Sequence, residues 1–148
     1  KQYDNACHAN PREKASYFSE NWNVLFENNM VQLIEDDISL FPFMNLRLYD
    51  GHTLGQIIPF IKIGNKTIVY MGDFIPSIHH IPLPYVPSFD VQPLVSMKEK
   101  EDFLTEALQN KYILFFEHDY DNECCSLHQT PKGIRPEKTF GISEIKFS

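Results

Sequence analysis

No run of apolar residues in this sequence approaches the roughly 20 that a helix needs to cross a bilayer, so a spanning helix is excluded. No basic stripe is present either. The formal net charge is −7, and the densest cations, Lys98 and Lys100, alternate with Glu99 and Glu101 as on a solvated helix face. Without a stripe to neutralise phosphates, nucleic acid is not an expected partner. Cysteine is sparse: Cys7, Cys124 and Cys125 make no disulfide framework, and the adjacent pair is badly placed to bridge to itself. That favours a reducing compartment, and the expected location is cytoplasmic. The chain opens Lys1-Gln2-Tyr3-Asp4 with no methionine and no signal-like segment. The expectation is a processed start or a piece of a longer protein. No internal repeat is visible.

What is present is one core's worth of chain. At 148 residues, rich in apolar and aromatic side chains, it is long enough for one core, too short to expect two, and too hydrophobic to be disordered. Asn10-Pro11 reads as a helix N-cap with proline at the first position, and Ala15, Phe18, Trp22, Leu25 and Phe26 follow at near-helical spacing, predicting one helix over 12–28. Residues 30–34 read as a short strand closed by Glu35-Asp36-Asp37. Phe41-Pro42 reads as a turn or edge, and 44–49 as a strand. Apolar alternation over 57–71, broken at Gly64-Asn65-Lys66, predicts a hairpin. Residues 74–93 carry Pro76, Pro82, Pro84, Pro87 and Pro93 among apolar and aromatic side chains, which predicts a long ordered wall rather than a regular element. Ser96, with Glu99 three residues on, reads as the cap of a helix that ends at Asn110-Lys111. Residues 112–116 form a buried strand. The tail carries turn signals at Thr130-Pro131-Lys132-Gly133 and Arg135-Pro136, and a last strand around 138–145 is expected. Strands followed by a helix and a strand predict a sheet with helices on one face.

The chemistry gathers at strand ends. Tyr70-Met71-Gly72-Asp73 brings a carboxylate to the tip of a buried strand just after a glycine that permits a sharp turn. His52, in Asp50-Gly51-His52-Thr53-Leu54-Gly55-Gln56, precedes the first hairpin strand, and His118, in Phe115-Phe116-Glu117-His118-Asp119, ends another. Each alone has a bland reading as a loop histidine or a turn-forming aspartate. If the strands lie side by side, three metal-ligand side chains converge. His80, and less so His79, are candidates for a contact around the ligands or to substrate, with His80 as the catalytic candidate beside Asp73. Tyr85 reads as a wall residue, Glu117 as solvent-facing, Asp119 as a hydrogen-bonding neighbour of His118, and Trp22 as core.

These segments, in this order, resemble the second half of the metallo-β-lactamase-fold hydrolases, in their lactonase- and esterase-like branch. The resemblance runs over roughly residues 1–120, including Asn10-Pro11-Arg12-Glu13-Lys14-Ala15-Ser16-Tyr17, and leaves 120–148 outside it. It departs at Leu54, where the family usually has proline. It implies an α/β fold, a metallo-β-lactamase-like αββα sandwich of which residues 1–148 supply the carboxy-terminal part of a single domain. It also implies two divalent metal ions, zinc first with iron or manganese as alternatives, and metal-dependent hydrolysis of an ester, lactone or similar carbonyl substrate. Carried over residue by residue, His52 is the last histidine on one metal, Asp73 bridges both ions and positions the hydroxide, and His118 closes the second. The opening His-x-His-x-Asp-His motif of the family is absent, and neither His8 nor His79-His80 has its spacing. The expected partners are therefore a small-molecule substrate and the missing amino-terminal half, with a homo-oligomer open. Two other readings remain: a binding or scaffold module that keeps the fold without catalysis, and an iron-dependent oxidoreductase on the same fold.

Overall fold

A computed structural model describes residues 1–147. The chain divides into two compact units, Lys1–Asp36 and Asp37–Ser148. In the first, helix α1 (Gln2–Cys7) and helix α2 (Ser19–Glu27) are separated by a single 3₁₀ turn, Lys14–Ser16. The single helix expected over 12–28 is thus broken, because Tyr17 and Phe18 are extended. Asn10 does cap, but it caps a turn: its Oδ1 accepts from the N–H of Arg12 at 2.8 Å and of Glu13 at 3.2 Å.

The strand expected at 30–34 is also absent. Asn29 is left-handed (φ 54°), and Met30 N–H turns back to Leu25 O at 2.9 Å, so these two residues close α2, and 31–34 join no sheet.

The second unit is organised on a seven-stranded sheet in sequence order: β1 (Ile38–Phe41), β2 (Met44–Tyr49), β3 (Gln56–Ile63), β4 (Lys66–Tyr70), β5 (Ile113–Phe115), β6 (Cys124–Thr130) and β7 (Gly133–Phe140). Every neighbouring pair is antiparallel except β4 and β5, which are parallel and joined by the proline-rich segment and helix α3 (Pro93–Asn110). The β3–β4 hairpin turns at Gly64, whose φ of 58° suits a residue with no Cβ. Pro59 lies opposite Leu46 of β2, and the pairing of β3 with β4 begins one residue on, at Phe60 and Val69.

Helix α3 starts at Pro93, after Gln92, so Ser96 lies inside the helix and is not its cap. The helix ends as expected, with Lys111 left-handed and its N–H on the Ala107 and Leu108 carbonyls. Phe103, Leu104 and Ala107 face Ile58, Phe60, Val69, Met71, Leu114 and Leu127 in the main core. Arg47 on β2 fastens the helix by paired hydrogen bonds to Glu106 (2.6 and 2.8 Å), and stacks 4.1 Å over Phe60.

Strand alternation sends Ile68, Ile113 and Cys124 to the other face, in a smaller cluster with Phe115, Phe140 and Ile145. Ile57 and Ile63 stand about two-fifths exposed.

The tail is more regular than its sequence suggests. Arg135-Pro136 is not a turn but part of β7, an edge strand that tolerates a residue with no N–H. The strand expected over 138–145 ends at Phe140, and Ile142–Glu144 is a 3₁₀ turn. All three cysteines are free, with Cys124 and Cys125 buried.

Candidate active site

Strand direction assembles the site. Because β4 and β5 are parallel, the loops leaving them open at one end of the sheet. Because β3 runs against β4, the loop entering β3 opens at that same end. Asp73 follows β4, His118 follows β5, and His52 precedes β3. Their side chains meet: His52 Nε2 lies 3.4 Å from Asp73 Oδ2, and His118 Nε2 lies 3.0 Å from Asp73 Oδ1. Each carboxylate oxygen therefore faces a different imidazole.

Several groups that the sequence did not single out fix this arrangement. Glu99, read from sequence as part of a capping box, instead reaches across from α3. Its two oxygens accept from the Asp50 N–H (2.8 Å) and the Gly51 N–H (3.0 Å), in the loop that carries His52. Gly51 is pressed against the backbone of Ser96, and a Cβ there would overlap it. Asp50 Oδ1 accepts from Gly55 N–H at 2.8 Å and closes the loop on itself. Gln56, buried at the start of β3, sets its side-chain amide 3.3 Å from the N–H groups of Asp73 and Phe74, and two donors there assign the amide oxygen to that side.

Among the described residues no hydrogen bond joins Asp119 to the His118 ring; Asp119 organises the loop around it instead. It accepts from the Asp121 and Asn122 backbones and, across the site, from Ile78 N–H at 3.0 Å. Asp90, buried at the end of the proline-rich wall, accepts a hydrogen bond from His52 Nδ1 at 3.0 Å. The signal available for Asp90 was a lone acid within an apolar, proline-spaced segment.

Electrostatics follow from these contacts. Burial opposes a charge on His52, but its bonds to Asp73 and Asp90 outweigh that and raise it to about 9. The same contact with His52, aided by His118 and opposed by burial, holds the Asp73 carboxyl below its usual range. Lys100, on α3, sits under the wall and donates to the carbonyls of His80, Pro82 and Tyr85 at 3.0, 3.2 and 2.7 Å. Burial pushes its ammonium down to about 8, with Asp90 acting in the opposite direction.

The remaining candidates are elsewhere. Among the described residues, no hydrogen bond or ion pair joins His80 to the trio. Its Nδ1 lies 2.9 Å from Ser77 Oγ, and burial lowers its pKa. His79 and His80, with Pro84, Tyr85 and Val86, line an open cavity of about 460 Å³. Tyr85 is largely exposed, as a wall residue would be. Glu117 accepts from the Tyr70 hydroxyl.

As a metal site the donor set is suitable in kind and short in number. Two imidazole nitrogens and one bidentate carboxylate suit zinc or iron. Divided between two ions, they give each one nitrogen and one oxygen, against the roughly four donors zinc takes. Among the described residues, no group of three or more His, Cys, Asp or Glu side chains is arranged to hold a metal ion by itself.

Comparison with solved structures identifies the architecture. A probable metal-dependent hydrolase from Staphylococcus aureus superposes with a TM-score of 0.80 at 22% identity, over 97% of this chain and 50% of its own. A dizinc quorum-quenching lactonase in complex with its product N-hexanoyl-L-homoserine gives 0.70 at 22% identity, over 91% and 47%. A hydrolase of the beta-lactamase superfamily gives 0.69 at 14% identity, over 91% and 49%. The chain has the metallo-β-lactamase fold over the part that it shares with them. The chain spans about half the length of these metallo-β-lactamase-fold structures. No family model matches the sequence, and no curated protein does. No helix among the described residues is long and apolar enough to cross a membrane.

Proposed function

We propose that this chain supplies the carboxylate-bridged half of a two-metal centre in a metal-dependent hydrolase. The substrate class is an ester, lactone or similar carbonyl compound. The observation that carries this reading is the division of the Asp73 carboxylate, one oxygen toward His52 and the other toward His118. A structural ion pair needs only one histidine. In this reading His52 would hold one ion, His118 the other, and Asp73 would donate to both. The metals, zinc first, supply Lewis acidity toward the carbonyl oxygen and activate water. The chain's own residues orient the donors: Asp90 holds the His52 ring, Gln56 the Asp73 backbone, and Glu99 the His52 loop. The apolar wall gives the non-reacting part of a substrate a surface.

The remaining donors come from an amino-terminal half of the same domain, carrying a His-x-His-x-Asp-His cluster. The neighbours of twice the length support that division, as does the shortfall of donors here. The same shortfall favours a second reading, a non-catalytic module that keeps the fold. The test is to express the 148-residue chain with and without such an amino-terminal half and assay ester and lactone hydrolysis before and after chelation. Chelator-sensitive turnover for the pair alone supports the hydrolase reading. No turnover by a folded, metal-loaded pair would leave the module.

A further inference from the structure

Three consecutive residues of the wall grip His52 from three sides. Phe89 presents its ring edge-on to the imidazole, with centroids 5.5 Å apart and planes at 90°. Asp90 receives the Nδ1 hydrogen bond at 3.0 Å, from a side chain that is 1% exposed. Val91 N–H donates to the His52 carbonyl at 3.1 Å, so the backbone is held as well as the ring. The turn that places them is closed by Asp90 N–H on the Pro87 carbonyl at 3.2 Å.

We propose that Asp90 is the positioning residue of His52: it fixes the proton on Nδ1 and so turns Nε2 toward Asp73. The argument is one of valence. An ionised carboxylate only accepts, so the ring nitrogen facing it must carry the hydrogen. In the neutral imidazole the other nitrogen is then the unprotonated one, and a metal ligand has to be unprotonated. Nε2 is the nitrogen left for an ion: without one it faces the Asp73 carboxylate at 3.4 Å and carries a proton that a bound ion would displace, while Asp90 keeps the proton on Nδ1. The 89–91 segment is thereby assigned to the metal centre and not only to the substrate wall. This rests on reading His52 as a metal donor, whereas the tautomer itself does not.

The experiment uses the 148-residue chain with ¹⁵N-labelled histidine, alongside Asp90→Asn and Asp90→Ala. Long-range proton–nitrogen correlation reads the His52 ring, and zinc is then titrated in. In the intact, metal-free chain, His52 should show a slowly exchanging Nδ1 proton, and at a pH above its raised value of about 9 the neutral ring should keep its proton on Nδ1. Asp90→Ala should lose both and bind zinc at His52 about 10–100-fold more weakly. Asp90→Asn, whose amide oxygen still accepts, should keep the tautomer and most of the affinity. An Nε2–H tautomer in the intact chain would overturn the proposal, as would an unchanged tautomer and affinity in Asp90→Ala. Equal losses in Asn and Ala, tracking a common fall in melting temperature, would reduce Asp90 to packing and also overturn it. If zinc leaves the His52 resonances of the intact chain unmoved, the metal-donor reading fails, while the metal-free tautomer still decides the role of Asp90.

Discussion

Asp73 distributes its two oxygens between two histidines, and the residues around it differ in what their loss should do. Asp73→Ala and His118→Ala remove donors and should lower the activity of a complete protein by more than about 100-fold, beyond what loss of an outer partner typically costs. His79→Ala, which alters only an exposed wall side chain, should cost less than about tenfold. Steady-state kinetics on the three variants checks the order, and equal losses would make His79 a ligand or an acid. Glu106 offers a pH test remote from the metals. Its bonds from Arg47 outweigh burial and, with help from Tyr112, hold its carboxyl below the ordinary value of 4.5. A depressed carboxylate contributes stability above the unfolded value, and that contribution disappears as pH falls below about 4.5 and through the folded value. The pair is about one-third exposed, so solvent screening limits the contribution to about 1 kcal/mol. Glu106→Gln should therefore lower the melting temperature at pH 7, and the gap to the unaltered chain should close in acid. A gap that persists at low pH would make the effect one of packing.

Among elements, α3 is more than a cover for the sheet. Glu99 near its start holds the His52 loop, Ser96 lies against Gly51 of that loop, and Lys100, the next residue after Glu99, holds the wall. Gly51→Ala should push that loop off the helix and destabilise by about 1–3 kcal/mol, as overpacking does. The change should also move the His52 ring resonances in the labelled chain. If the melt shifts and His52 does not, the close approach is structural only. This coupling explains what was legible in the sequence. The period-2 alternation of β2, β3 and β4 and the strand-end placement of His52, Asp73 and His118 are local properties, readable from spacing. The contacts of Glu99, Gln56 and Asp90 join residues far apart in the chain, and nothing local marks them. The Ser96–Glu99 pair even mimics a local capping box while serving a distant loop. Strand β6, with buried Cys124 and Cys125 and a register shift before Leu127, lacks the clean alternation that revealed the hairpin. Residues 30–34 mislead in the opposite sense, being apolar enough for a strand while Met30 closes a helix and the rest join no sheet.

At the scale of the molecule, one sheet face is filled by α3 while the other carries a small cluster and part-exposed isoleucines. A sheet buries its faces against further layers, and apolar area left in water forgoes about 25 cal/mol per Å². On the proposed division, an amino-terminal half would cover that face and complete the metal centre in one step. Adding it should raise the melting temperature and sharpen the transition, measured by calorimetry. A chain that already melts cooperatively as a monomer, with no gain from the second half, would favour the self-sufficient module.

The most direct test is metal stoichiometry by elemental analysis after gel filtration, for the 148-residue chain alone, for the pair, and for the pair carrying Asp73→Ala. The account predicts less than one tightly bound transition metal for the chain alone and two for the pair. Loss of the bridge should then take that centre apart. Two equivalents retained by the chain alone, or a folded pair that binds none, would contradict it.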